Sequence, residues 1–196
     1  MNIDNYIVYI IIIISIIYTN YTANKVGKKF YKKRIIDGKV NPKVYDKLFA
    51  ILPDYSKSKK LKLVADLFVV GMVLYTMYNL GNNDLTLLIK RILVVLFIRG
   101  IVINLTILPK EKTCDDSKYH LYNWVAGGCY DKIYSGHFSL GLIASLTAVS
   151  HKLISVEMMY IYNIVNAILI LVLRNHYTID IITALFASLC TINYIK

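Results

Sequence analysis

The stretch ISVEMMYIYNIVNAILILVL, from Ile154 to Leu173, decides the fold class. It contains a single charged residue, Glu157, in twenty positions. A helix needs about 20 apolar residues to cross the roughly 30 Å hydrocarbon layer of a bilayer. The stretch therefore predicts a transmembrane helix.

Five further blocks have the same character, and the chain of 196 residues is 57% hydrophobic with a mean hydropathy of +0.52. They are Tyr6–Tyr21, Leu63–Leu80, Ile92–Leu108, Phe138–Ser150 and Ile179–Ile195. Backbone exposed to lipid must satisfy its own hydrogen bonds, which favours helices. We expect an all-α, polytopic membrane protein with a bundle of six transmembrane helices. The first block follows MNIDN, without Lys or Arg, and no A-x-A-like site follows it, so we expect a retained helix rather than a signal peptide.

The net charge of +11 is concentrated after the first block. Residues 22–62 hold 13 Lys or Arg and three Asp, a net charge of +10. Val44, Leu48 and Leu52 recur every four positions, which indicates a short interfacial helix. We expect an N-terminal transmembrane helix at 1–21, a basic interfacial loop at 22–62 on anionic headgroups, and a five-helix core at 63–196. The loop lacks the pattern of aromatic residues between basic ones that is typical of nucleic-acid-binding folds, so no nucleic-acid partner is expected.

The three cysteines contain no CxxC pair. With so few ligands of the right kind, we expect no zinc site and no metal. Cys190 falls in the last block and is expected to be a small core residue. Cys114 and Cys129 share one loop and could form a disulfide if that loop faces an oxidising lumen.

Ionisable residues within or beside membrane helices are costly and indicate function. Asp66, Arg99, His137, His176 and Asp180 are such residues. With six spans the loops alternate sides, so that the starts of the fourth and sixth spans lie on one face. This places His137, His176 and Asp180 on the same side of the membrane.

His176 and Asp180 are four residues apart, which puts them on one face of a helix. An Asp in this position can fix the imidazole tautomer and leave the other nitrogen free as a nucleophile or base. A buried hydrogen bond without chemistry is the alternative. His137 follows Ser135-Gly136 at a helix start, where free N–H groups and the helix dipole favour a phosphate. An interfacial His in a capped turn is the alternative there.

The blocks CYDKIYSGH, Cys129–His137, and HYTIDIITA, His176–Ala184, resemble the two signature blocks of sphingomyelin synthases and related lipid phosphotransferases. These enzymes are part of the type-2 phosphatidic acid phosphatase superfamily. The matching positions are Cys129, Asp131, Tyr134, Ser135, Gly136 and His137, then His176, Tyr177, Thr178 and Asp180. ILPD at Ile51–Asp54, RGIVINLTILP at Arg99–Pro109 and AGG at Ala126–Gly128 are similar to further blocks of that family.

The resemblance implies a His-His-Asp triad that works without a metal or other cofactor. His176 would attack phosphorus, oriented by Asp180, and His137 would serve as acid and base. The partners implied are a phosphatidylcholine-like or phosphatidylethanolamine-like donor and a ceramide or diacylglycerol acceptor, held in the lipid bilayer. Arg99 would stabilise phosphoryl oxygens, or else form an interhelix salt bridge with Asp66.

Asp66 is an expected auxiliary residue, and Asp131, Tyr134, Ser135, Gly136 and Tyr177 are expected at the substrate. Three positions depart from the family pattern. Tyr130 replaces Gly, Lys132 replaces an aromatic residue, and Arg174 stands two residues before His176, where the synthases tend to have His. These changes affect the choice of headgroup more than the chemistry.

Two other functions compete with the transferase. A lipid phosphate phosphatase would use water as acceptor, but the chain has no K-x6-R-P block and no Ser-Arg pair upstream of His176. A catalytically inactive membrane scaffold is the third reading. The family resemblance implies a lumenal or exterior active site in the endoplasmic reticulum, Golgi or plasma membrane, whereas the positive-inside rule places the basic loop in the cytosol.

Overall fold

The six apolar blocks of the sequence correspond to six long helices in the computed structural model. The structure describes residues 3–36, 44–106, 108, 129–130 and 132–196, and for residues 3–8 and 32–36 it describes the backbone alone. Helices are the only regular secondary structure in these segments, so the all-α prediction is confirmed for them. Asp131 and Cys114 lie outside the described residues.

Seven helices follow one another along the chain. They are α1 (Ile3–Ile36), α2 (Lys47–Ile51), α3 (Lys59–Asn79), α4 (Asn82–Leu105), α5 (Gly136–Ser150), α6 (Val156–Val172) and α7 (Thr178–Tyr194). Side-chain caps define several of the starts, because Ser58, Ser135 and Ser155 each accept a hydrogen bond from a backbone N–H in the first turn of the helix that follows. A short helix, α2, forms within the segment Val44–Leu52 where we expected one, but it covers only Lys47–Ile51.

Helix α5 lies at the centre of the bundle and packs against α3, α4, α6 and α7. Most of its side chains are buried. A small residue permits its closest approach to α6: a Cβ added to Gly141 would lie 2.8 Å from both Asn166 Nδ2 and Tyr162 Oη. The first signature block therefore precedes the helix with the largest buried share among those that the structure describes.

Helix α1 is longer than expected. We predicted that it ends near Tyr21, but it continues to Ile36, so the first part of the predicted basic loop is helical. The extension has tertiary contacts that account for it. Tyr31 stacks on Tyr130 with ring centroids 5.8 Å apart, and Asn24 Oδ1 accepts a hydrogen bond from Tyr130 N at 3.1 Å.

Helix α1 also packs closely on α4. A Cβ added to Gly100 would lie 2.5 Å from Thr19 Oγ1, so the two backbones approach each other at that point. Asn104 Nδ2 donates to Thr19 O at 2.9 Å, and Thr22 Oγ1 donates to Asn104 Oδ1 at 2.8 Å. Small residues and interhelical hydrogen bonds of this kind are typical of helix pairs in membranes.

By length and composition, one helix within the described segments can cross a membrane, and that helix is α3. Helices α5, α6 and α7 are apolar but shorter, with 15, 17 and 17 residues. Many large apolar side chains on the outer faces of α1, α3, α6 and α7 are exposed, among them Ile14, Leu67, Ile164 and Phe186.

Candidate active site

The two signature blocks meet where α5 and α7 begin. Ser135 N donates to the backbone oxygen of Asp180 at 3.2 Å, which joins the turn before α5 to the first turn of α7. Tyr134 has a positive φ of 77°, which is unusual for a residue other than glycine and occurs at functional sites. This turn brings Ser135, Gly136 and His137 next to the second block.

His176 is fixed by a backbone carbonyl of the first block. Its Nδ1 lies 2.6 Å from Lys132 O, whereas the nearest oxygen of Asp180, Oδ2, is 3.5 Å away. A carbonyl oxygen only accepts hydrogen bonds, so Nδ1 carries the proton in the neutral ring. The lone pair of the neutral imidazole is therefore on Nε2, and Lys132 O rather than Asp180 makes the shorter contact.

Asp180 is completely buried. Its Oδ2 accepts a hydrogen bond from Tyr177 N at 2.7 Å, so that the carboxylate also caps the start of α7. Burial lowers the pKa of His176 below its usual value, and the neighbouring carboxylate raises it by less. The imidazole of His176 is therefore neutral at neutral pH, which is the form that a nucleophile requires.

His137 pairs with the acidic residue of α3. Its Nε2 lies 3.0 Å from Asp66 Oδ1, and both side chains are about one-third exposed. Asp66 therefore contacts His137, whereas the sequence suggested a salt bridge between Asp66 and Arg99. This contact joins the first turn of α5 to α3.

Arg99 is buried in the middle of α4 and points toward the start of α5. Its Nη1 donates to Asn20 Oδ1 on α1. A Cβ added to Gly136 would lie 3.4 Å from Arg99 Cδ and Nε, which places the guanidinium next to that glycine. The structure thus brings Arg99 beside the Ser135-Gly136-His137 turn.

Three of the remaining predicted residues are buried next to the site. Tyr134 and Ser135 are fully buried, and Tyr177 is buried against Phe49, with ring centroids 5.3 Å apart. These side chains hold the two turns in place, and Tyr134 lies in the main hydrophobic core. Asp131 falls outside the described residues.

Lys132 and Tyr130, which we expected to influence the headgroup, have structural contacts. Lys132 Nζ donates to Asn175 O at 2.7 Å, so its side chain and its carbonyl both hold the connector before α7. Tyr130 is buried against α1. Cys129 is disulfide-bonded. Cys190 is free and exposed, so the expectation that it is a core residue was wrong.

Asp46, at the start of α2, supports the site in a way that the sequence did not reveal. Asp46 Oδ2 accepts from Thr178 N at 2.6 Å and Oδ1 from Thr178 Oγ1 at 2.8 Å, while Asp46 also caps α2 through Leu48 N and Phe49 N. Burial raises the pKa of Asp46, but these hydrogen bonds outweigh it and lower the pKa below its usual value. Because Asp46 and Thr178 are 132 residues apart in sequence, no local sequence pattern predicts their contact.

Arg174 also binds the segment around α2. Its Nη2 donates to Phe49 O and Leu52 O, each at 2.8 Å, and the guanidinium lies 4.3 Å from the centre of the Phe49 ring. Arg174 Nε is 3.9 Å from Asp54 Oδ2, in the ILPD block. The residue that we considered for phosphate binding thus joins α2 to the connector.

No group of three or more His, Cys, Asp or Glu residues in the described part of the chain could hold a metal ion. What the site contains is a pair of histidines, each with a carboxylate partner, and a buried arginine. Such a set can perform nucleophilic and acid–base chemistry on an anionic group.

Residues 128–196 match the family model described as PAP2 superfamily C-terminal. This match supports the type-2 phosphatidic acid phosphatase superfamily. The matched segment contains both signature blocks and α5, α6 and α7. The superfamily consists of lipid phosphatases and phosphotransferases that are generally membrane-associated. No curated protein and no solved structure matches the chain.

Proposed function

We propose that the protein transfers a phosphocholine or phosphoethanolamine headgroup from a phospholipid to ceramide or diacylglycerol through a phosphohistidine. The hydrogen bond between His176 Nδ1 and Lys132 O is the observation that carries the proposal. Because it directs the lone pair to Nε2, it prepares one nitrogen for in-line attack on phosphorus. The buried Asp180 carboxylate stabilises the positive charge that the ring acquires.

In the first step His176 Nε2 attacks the phosphorus atom and the bond from phosphorus to the diacylglycerol oxygen breaks. His137, protonated and paired with Asp66, gives its proton to that oxygen. Diacylglycerol leaves, and the headgroup phosphate remains on His176. Arg99 and the backbone N–H groups at the start of α5 lie where they can stabilise the phosphoryl oxygens.

In the second step the primary hydroxyl of ceramide, or the free hydroxyl of diacylglycerol, loses its proton to His137 and attacks the phosphohistidine. The bond from phosphorus to Nε2 breaks, and His176 returns to its neutral form. The proton taken up by His137 replaces the one that it gave in the first step. The cycle therefore consumes no water and needs no cofactor.

The membrane arrangement that we propose has six spans, α1 and α3–α7, with the site at the face where α3, α5 and α7 begin. The exposed apolar side chains on the outer faces of α1, α3, α6 and α7 support it, since lipid would cover them. We place the site on the lumenal or exterior face. The disulfide at Cys129, a few residues before the signature turn, supports that face because disulfides persist in oxidising compartments.

The test uses the full-length protein in lipid vesicles with a phosphatidylcholine or phosphatidylethanolamine labelled in the headgroup, together with ceramide or diacylglycerol. We expect the label to move to the acceptor lipid, and His176→Ala or His137→Ala to abolish the transfer. His151→Ala is the matched control, because His151 lies at the opposite end of α5, 3.8 Å from Asp84. Release of inorganic phosphate from phosphatidic acid, without headgroup exchange, would exclude the transferase.

A lipid phosphatase is the second candidate function. The superfamily includes such enzymes, and the partial exposure of His137 would allow water to replace the acceptor alcohol. Vesicles that contain phosphatidic acid labelled in its phosphate distinguish the two reactions, since a phosphatase releases the label as inorganic phosphate whether or not ceramide is present.

A further inference from the structure

An apolar groove of about 350 Å³ runs along the outer side of the bundle. Three helices form it, and aliphatic or methionine side chains line it. They include Val69, Val73 and Met77 of α3, Leu93 and Leu96 of α4, and Leu140 of α5. No charged residue is part of the lining, so the groove suits a hydrocarbon chain.

One end of the groove adjoins the candidate active site on all three helices. Val69 is one turn beyond Asp66 on α3, and Leu140 is one turn beyond His137 on α5. Leu96 is one turn before Arg99 on α4, which runs in the opposite direction. The polar residues of the site therefore lie at one end of the apolar groove.

The distance from the candidate site to the far end of the groove is close to the thickness of one leaflet. From Asp66 to Met77 the helix rises about 16 Å at roughly 1.5 Å per residue. The hydrocarbon core of a bilayer is about 30 Å thick, so this distance is about half of it. A lipid whose phosphate reaches His176 and Arg99 would extend its tail along this path to the middle of the membrane.

The groove has a closed floor and an open side. Val69, in the floor, is 2% exposed, whereas Leu74, at the rim, is 58% exposed. A chain could therefore enter sideways from the bilayer and contact the buried floor. We infer that this groove binds one acyl chain of the lipid substrate and so selects the tail length; this rests on the proposed function.

The first experiment narrows the groove at mid-length with Val73→Phe. Transfer from a dipalmitoyl donor should fall about tenfold or more in kcat/KM, because the excluded methylenes lose their buried contacts. Transfer from a dihexanoyl donor, whose tails end before position 73, should change less than twofold, roughly the effect of a surface substitution. The matched control is Val165→Phe, at an exposed valine in the middle of α6 outside the groove. An equal loss with both donors, or no loss with either, would overturn the inference.

The second experiment does not depend on turnover. A phosphatidylcholine with a photoactivatable diazirine in mid-chain is irradiated with the His176→Ala protein in vesicles. Leu74 and Tyr75 are neighbours at one depth and are 58% and 46% exposed, but only Leu74 lines the groove. We expect several-fold more labelling at Leu74, and loss of that excess when Val73→Phe is added.

The two outcomes separate the inference from the proposed function. Excess labelling at Leu74 in a protein that transfers no headgroup would reject the function and retain the groove. Headgroup transfer with equal labelling at Leu74 and Tyr75, and without a response to tail length in Val73→Phe, would reject the groove and retain the function.

Discussion

At the scale of single residues, the site depends on which nitrogen of each imidazole carries a proton. Lys132 O fixes His176 and Asp66 contacts His137, at 2.6 and 3.0 Å. The carboxylate of Asp180 is slightly more distant from His176, at 3.5 Å. The proposed nucleophile is thus oriented mainly by a backbone atom, and the proposed acid–base group by a side chain of another helix.

The lowered pKa of His176 has a consequence for the pH dependence of the first step. Burial disfavours the imidazolium, so the neutral nucleophile persists below pH 6.5, the usual value for histidine. We expect the acid limb of phosphohistidine formation to lie below pH 6.5, measured as the burst of diacylglycerol release in a rapid-quench experiment. An acid limb above pH 6.5 would contradict the burial of this ring.

Asp66→Asn tests the partner of His137. The amide keeps the shape of the side chain but removes the negative charge from the group that contacts His137 Nε2. We expect kcat to fall by about tenfold to a hundredfold, a part of the usual contribution of an acid–base group, with KM little changed. Asp84→Asn is the control, because Asp84 pairs with His151 far from the site. Steady-state rates of headgroup transfer give both constants, and equal losses in the two variants would refute the assignment.

At the scale of elements, the connector before α7 is held from two sides. Lys132 contacts it through its carbonyl and its ammonium group, and Asp46 and Arg174 tie it to the α2 segment. These contacts come from parts of the chain that are far apart in sequence. The position of His176 therefore depends on the loop between α1 and α3.

Asp46→Ala would release one of these ties. It removes the cap of α2 and leaves the N–H and hydroxyl of Thr178 without their acceptor, at a cost of about 1–3 kcal/mol. We expect a lower unfolding temperature in detergent and a loss of transfer activity. Since the pKa of Asp46 is lowered in the fold, its contribution to stability is present above pH 3.8 and disappears as the pH falls through the lowered value.

Asp54→Ala is the control for that substitution. Asp54 lies in the same segment, is mostly exposed, and reaches Arg174 only at 3.9 Å. We expect its unfolding temperature to stay close to that of the wild type, since exposed ion pairs contribute about 0–1 kcal/mol. If both variants melt alike, Asp46 does not hold the connector.

The hydrophobic pattern predicted the helices well and their polar extensions poorly. The blocks Leu63–Leu80 and Ile179–Ile195 correspond to α3 and α7 within a few residues, because a long continuous run of apolar residues is a strong helix signal. The extension of α1 to Ile36 is rich in lysine and depends on contacts with Tyr130. The tie from Asp46 to Thr178 likewise exists only once the helices are assembled.

At the scale of the whole molecule, α5 connects the site to the stability of the bundle. Its first residues form the phosphate-binding turn that we propose, and the rest packs on four helices. Movement of this helix would change the distance between His137 and Asp66. A change in the packing of α5 is therefore expected to change the geometry of the site.

Gly141→Ala tests this coupling. The added methyl group would lie 2.8 Å from Asn166 Nδ2 and Tyr162 Oη, which are both in buried side chains, so α5 and α6 must separate. We expect a loss of about 1–3 kcal/mol, measured by thermal unfolding in detergent, and a lower transfer rate.

Gly71→Ala is the matched control on α3, where an added Cβ meets nothing within 4 Å. Alanine is the better helix former by up to about 1 kcal/mol, so this variant should be as stable as the wild type or more so. A Gly141→Ala protein that melts no lower than Gly71→Ala would show that the α5–α6 contact is looser than the structure indicates.

The bond between Lys132 O and His176 Nδ1 also bears on how the protein can evolve. No point substitution at position 132 removes a main-chain carbonyl, so the contact that sets which nitrogen of His176 carries the proton tolerates any side chain there that leaves the turn intact. Residue 132 can therefore change in size or charge without loss of this carbonyl, whereas the contact of the Lys132 ammonium group with Asn175 O, which also holds the connector, is then lost.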